Sequence, residues 1–239
     1  MEYANTIWDE SAYKALVAEL KSLAEPGYKA FQERLCTTSK AEILGVRSPY
    51  VKKIAKSVAK GDVSGFLSVC ETTYYEEVLL KAFVIAFWRC PLSEKWATVE
   101  AFVTGIDNWA VCDGFCAALK IRENEQAFLL EQCEKYSQKA GEYDRRFALV
   151  MLMDHLLSEP YLDAAFEIVA KTDCAPYYVS MAAAWCVSVL FVRDKEKTLA
   201  FLKTSALDNQ THRRAIQKIV ESNRVTAEDK AFVRTLRRA

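Results

Sequence analysis

The sequence predicts an all-α chain of helical-hairpin repeats stacked into a curved right-handed superhelix, an α-solenoid, and three observations carry that prediction. Helix breakers are sparse, with Gly 7 and Pro 5 in 239 residues, so few positions interrupt a helix. Apolar residues recur at helical spacing through most of the length. Helices of comparable character begin at Tyr75, Trp109, Asp144 and Tyr177, at intervals of 34, 35 and 33 residues, which is the period of two-helix units that each bury a face against the next unit. Residues 1–239 therefore read as a single repeat domain. No consensus dipeptide recurs from unit to unit, so an irregular helical bundle is the alternative.

The elements follow in order. Trp8, Tyr13, Leu16, Val17, Leu20 and Leu23 line one face of a helix over Ile7 to Ala24 that Pro26 ends. A short helix spans Tyr28 to Leu35, and after a loop Ser48 is read as a cap with Pro49 at the first helical position. That third helix carries Lys52, Lys53, Lys56 and Lys60. Together with Arg47 they make five basic residues and no acidic one between Ile43 and Gly61. Such a run is either a solvated face or the local cluster that a phosphate-binding surface needs. Helices are then expected at Val63–Cys70, Tyr75–Arg89, Glu94–Thr104, from Trp109, and at Glu123–Ser137, Asp144–Leu157 and Tyr161–Ala170. The last four are Tyr177–Val192, Glu196–Lys203, Thr211–Ser222 and Ala227–Arg237. Connections of a few residues imply antiparallel neighbours. The apolar runs Val78–Trp88 and Phe147–Met153 need cover on two faces.

The helix from Trp109 carries the most distinctive chemistry. Asp107 or Asn108 caps it, and a spacing of four places Trp109 and Asp113 on one face. In a core Asp113 needs a partner, such as Arg145 or Arg146. Lining a groove, a carboxylate beside an indole ring holds a cation. In a curved array Trp109, Asp113, Arg145 or Arg146, and Trp185 are expected to converge.

Composition narrows the function. Equal numbers of basic and acidic residues, 32 each, give no global attraction to nucleic acid, so anion binding has to rest on local clusters. The eight cysteines are scattered, mostly in apolar runs, and read as small core residues of a reducing compartment. Cys112 and Cys116 have helical spacing, but no neighbouring histidine completes a zinc set. His155 and His212 are far apart and read as structural. The first ten residues contain no apolar signal core, and no run approaches the roughly 20 apolar residues of a membrane span. A soluble cytoplasmic protein with no membrane partner is expected.

Ile43-Leu44-Gly45-Val46-Arg47-Ser48-Pro49, Asn108-Trp109 with Asp113, Arg145-Arg146-Phe147-Ala148-Leu149 and Ala184-Trp185, in this order and spacing, resemble the AlkD-like DNA alkylation repair proteins, HEAT-like repeat DNA glycosylases. The resemblance runs from about Tyr28 to the C-terminus. It implies a helical array that cradles alkylated double-stranded DNA and releases cationic purines such as 3-methyladenine and 7-methylguanine without flipping the base into a pocket. It implies Asp113 as the catalytic carboxylate, Trp109 and Trp185 as the aromatic pair on the lesion nucleotide's backbone, and Arg146 or Arg145 on a phosphate. No metal or nucleotide cofactor is implied, and a monomer acting at the bacterial nucleoid is expected.

The chain departs from the basic members of that family by being neutral. Its positive charge gathers in Arg47 to Lys60, with Lys52, Lys53 and Lys56 the candidate DNA contacts. The C-terminal stretch from Ser205 adds eight basic residues, Arg213 and Arg214 among them, against four acidic. Two other readings stay open. One is a HEAT-repeat protein that binds distorted or branched DNA without chemistry, and the other is a helical-repeat scaffold for protein partners.

Overall fold

The computed structural model describes residues 2–238, and among these the chain is all-helical, with fourteen α-helices, one 3₁₀ turn and no strand. The helices divide into two compact units, one running to Lys120 and the other beginning at Ile121.

The first unit contains α1 (Glu10–Ser22), α2 (Pro26–Leu35), α3 (Ser48–Val58), α4 (Val63–Val69), α5 (Tyr75–Phe87), α6 (Leu92–Val103) and α7 (Trp109–Ala118). Helices α3, α5 and α7 pack side by side with α5 between the other two, while α4 and α6 pack on α5 from their own hairpins. Helix α5 is apolar nearly all round, and Leu79, Leu80, Ala82, Phe83, Val84, Ile85 and Ala86 are all buried. The need for cover on two faces is thereby met. The second unit contains the 3₁₀ turn Glu123–Glu125, α8 (Gln126–Ser137), α9 (Glu142–His155), α10 (Leu162–Lys171), α11 (Tyr177–Arg193), α12 (Lys195–Thr204), α13 (Asn209–Glu221) and α14 (Ala227–Arg234). Here α9, α11 and α13 form the row, with the short-period partners α8, α10 and α12 packed behind them. Each unit thus stacks helical hairpins in two layers, as the 33- to 35-residue period requires.

Boundaries shift where local chemistry outcompetes periodicity. The first helix starts at Glu10 rather than Ile7, because the Asp9 carboxylate accepts from the amide of Ala12 and caps it. Pro26 does more than end that helix: it is the first residue of α2. Ser48 is a helical residue rather than the cap, and Arg47 takes that position with its carbonyl accepting from Tyr50. The expected Glu123–Ser137 helix is broken into a 3₁₀ turn and α8.

Six of the eight cysteines are buried, and among the described residues no disulfide forms. No helix of the described residues is long and apolar enough to cross a membrane.

Candidate nucleic-acid interface

In the first unit the site is organised by a segment without regular structure, residues 36–47. The buried carboxylate of Glu76, in the first turn of α5, accepts from the amides of Leu44 (2.9 Å), Gly45 (2.7 Å) and Val46 (2.9 Å). Three successive amides can point at one carboxylate because Gly45 has a φ of 96°, a conformation that side chains disfavour. A Cβ there would also lie 2.7 Å from the Glu25 carbonyl. Glu42 pairs with the chain at Tyr74, and Asp107 accepts from the amide of Lys40 at 2.7 Å. The segment is thereby fastened to the starts of α5 and α7, and it delivers α3 in a fixed register.

Helix α3 buries Val51, Ile54, Ala55 and Val58, which leaves its lysines outward. Lys52 and Lys56, one turn apart, lean over α5: the Lys52 ammonium lies 5.0 Å from the Phe83 ring centre and that of Lys56 5.5 Å from Phe87. The two rings are stacked at 6.1 Å, so each cation is held by a ring face. Lys52, Lys53, Lys56 and Lys60 line one cleft of about 620 Å³ together with Glu2, Pro49 and Ser57. Arg47 is differently placed. Its guanidinium grips Glu25 through bonds of 2.8 to 3.1 Å and covers the Tyr28 ring, and the same contact holds the Glu25 carboxyl below its ordinary range.

Helix α7 is capped by Asn108, whose side chain accepts from the amide of Val111 at 3.0 Å. Asp107 supports that cap by accepting from the Asn108 amide nitrogen at 2.9 Å. Of the two cap residues open in the sequence, Asn108 takes the position. Val111, Cys112, Phe115 and Cys116 face the core, and Trp109, Ala110, Asp113, Gly114 and Ala117 occupy the other side. Trp109 donates its indole N–H to the Leu35 carbonyl at 3.2 Å, which fixes the ring against the end of α2. Asp113 is half-buried one turn further on. Apart from Trp109, its neighbours on that face, Ala110, Gly114 and Ala117, are small. A Cβ on Gly114 would stand 3.8 Å from the Phe83 ring, the ring that carries Lys52. One aromatic side chain of α5 thus connects the basic face of α3 to the helix of Asp113.

In the second unit the adjacent arginines of α9 diverge, as their 100° separation demands. Both are buried; Arg145 donates to the Asp173 carboxylate at 2.5 Å and to the carbonyls of Asp173 and Ala140, each at 2.9 Å. The amide of Ala175 and the Arg145 guanidinium together hold the Asp173 carboxyl below the usual carboxylate range. Arg146 donates to the Tyr178 carbonyl at 2.7 Å and lies over the Tyr178 ring. Trp185 stands two turns beyond Tyr178 on the same side of α11 and is 39% exposed, uncommon for so large an apolar group. On α13 Arg213 is exposed and Arg214 lies over the ring of Tyr177.

Glu76, Phe83, Phe87 and the tyrosines at the start of α11 escaped the reading of the sequence. A Glu76-Glu77 pair opening an otherwise apolar helix, and phenylalanines four residues apart, were the available signals. Among the described residues no group of three His, Cys, Asp or Glu side chains is placed to hold a metal ion.

No curated protein and no solved structure matches the chain. The model of the family described as DNA alkylation repair enzyme matches residues 16–219, a span that takes in α3, the Asp113 helix, both arginines of α9 and Trp185. The match covers well over half of the sequence, and the chain belongs to the DNA alkylation repair enzyme family.

Proposed function

We propose that the protein is an alkylpurine DNA glycosylase that hydrolyses the N-glycosidic bond of cationic purines, 3-methyladenine and 7-methylguanine, in duplex DNA. Its family places it in the repair of alkylated DNA. The observation that carries the finer reading is Asp113, a carboxylate on an accessible helix face lined by small residues and walled by an anchored indole.

Alkylation at N3 or N7 makes the purine a cationic leaving group, so departure needs little help from an acid. What needs stabilising is the sugar, which gathers oxocarbenium character as the bond breaks. A fixed carboxylate opposes that charge and orients the attacking water, and the Trp109 ring adds cation–π attraction of about 0.5–2 kcal/mol. This chemistry does not require the base to enter a pocket, and it calls for neither metal nor nucleotide cofactor. Lys52, Lys53 and Lys56 bind phosphates, with Lys52 and Lys56 aimed by Phe83 and Phe87. In the second unit an arginine of α9, Arg146 or Arg145, is the phosphate ligand. Trp185 and the exposed Arg213 extend the contact with DNA, and a monomer suffices.

The experiment compares base release from duplexes carrying one 7-methylguanine or one O6-methylguanine, which is a neutral lesion. Release of the first alone supports a mechanism driven by a cationic leaving group. Equal release of both contradicts it.

A further inference from the structure

The start of α11 presents an aromatic array that the chemistry above leaves unused. Tyr178 stacks on Tyr143 of α9 at 5.7 Å, with 29° between the ring planes, and Tyr177 meets Tyr178 edge-on at 5.1 Å. The Tyr178 amide donates to Glu142 at 2.8 Å and its carbonyl accepts from Arg146 at 2.7 Å, so the backbone at this point is held from two sides. Tyr177 rests on this support yet is itself 55% exposed. One face of its ring carries the Arg214 guanidinium, 4.8 Å from the ring centre. With more than half of the residue exposed, Tyr177 keeps surface open to solvent beyond that contact.

Arg214 is itself half-buried. One terminal nitrogen is buried with no hydrogen-bond partner, and its charge adds to the Thr211 and Gln210 hydrogen bonds that, against burial, hold the Asp208 carboxyl below its ordinary range. A supported, largely exposed tyrosine with a cation on its ring is suited to stacking, because every nucleobase has a π-face and an aromatic ring covers it without regard to sequence. The cation also selects. Arg214 draws electron density toward itself through the ring, so a neutral, electron-rich base stacks well on the ring and a cationic alkylpurine is repelled. Paired bases inside a duplex expose no face.

We propose that Tyr177, backed by Arg214, binds one unpaired, undamaged base of a locally opened DNA duplex. The proposal rests on the DNA-binding reading of this protein and assigns it a preference for opened over intact duplex.

The test uses a duplex with one bulged 2-aminopurine and a matched duplex with the same base paired, measuring affinity and 2-aminopurine emission for the wild type, Tyr177→Ala and Tyr177→Phe. The wild type and Tyr177→Phe are expected to bind the bulged duplex about tenfold more tightly than the paired one and to quench its emission on stacking. Tyr177→Ala should lose both effects and keep its affinity for paired duplex. Bulged and paired duplexes bound equally by the wild type, or quenching that persists in Tyr177→Ala, would overturn the platform while leaving DNA binding intact. Failure of the wild type to bind either duplex would overturn the DNA reading itself, and the platform with it.

Discussion

Replacing Glu76 tests the framework that aims the basic helix. Its carboxylate accepts three backbone amides, two on one oxygen and one on the other, in a buried site. Glu76→Ala leaves all three donors without a partner. A buried donor left unsatisfied costs about 1–3 kcal/mol, so three cost roughly 3–6 kcal/mol even where water enters to solvate one. Glu76→Gln is the graded control: its amide oxygen can still serve Gly45 and Val46, but its NH2 then meets the Leu44 amide, donor against donor. That variant should lose about 1–3 kcal/mol. For a chain of this size each kcal/mol corresponds to roughly 2–4 °C in Tm. The Tm should therefore fall by about 6–24 °C for Glu76→Ala and by a smaller amount, about 2–12 °C, for Glu76→Gln. Equal stability of Glu76→Ala and wild type would refute the reasoning, since it would mean that residues 44–46 find other acceptors at no cost.

Other expectations follow from the same contacts. Lys52→Ala with Lys56→Ala should flatten the dependence of log K on log salt by nearly 2, at about 0.9 per phosphate contact in duplex DNA. Arg47→Ala should flatten it less than either lysine, because Glu25 engages its guanidinium. Arg145→Ala should destabilise the fold by about 2–3 kcal/mol through three lost bonds, whereas Asp173→Ala, at an exposed partner, should cost under about 1 kcal/mol; chemical unfolding separates the two. His212 is buried, its Nε2 is bonded to the Leu202 carbonyl and its Nδ1 lacks a partner, so burial pushes its pKa down. The unfolded chain takes up that proton below about pH 6.5 and the folded chain does not. Stability from this group is therefore full above that pH and declines as pH falls. Unfolding between pH 7.5 and 5.5 should be less pH-dependent in His212→Gln.

Much of the fold was legible because it is local. The starts of α5, α7 and α11 fall on Tyr75, Trp109 and Tyr177 as periodicity predicts, since buried stripes at helical spacing are written directly in the residue order. The cap of α7 was legible as one of two adjacent candidates, Asp107 or Asn108, and the spacing of four put Trp109 and Asp113 on one face. What could not be read depends on residues distant in sequence. Nothing near Arg47 announces Glu25, 22 residues earlier, and the run from Ile43 to Gly61 looked purely basic for that reason. Nothing around Gly45 announces Glu76. The aim of Lys52 and Lys56 is set by rings on another helix, and the separate fates of Arg145 and Arg146 are set by Asp173 and Tyr178. Such contacts are products of packing, which periodicity specifies only as a face and not as a partner.

The central claim is that the Asp113 carboxylate performs the chemistry. Its most direct test is the single-turnover release of 7-methylguanine from alkylated duplex DNA at low salt, with wild type and Asp113→Asn at equal DNA occupancy. The account predicts release by the wild type and a loss of at least a hundredfold in the variant, about 2.7 kcal/mol of transition-state stabilisation at 1.36 kcal/mol per tenfold, with DNA binding retained. Equal rates in the two proteins, or bound DNA from which neither releases base, would contradict it.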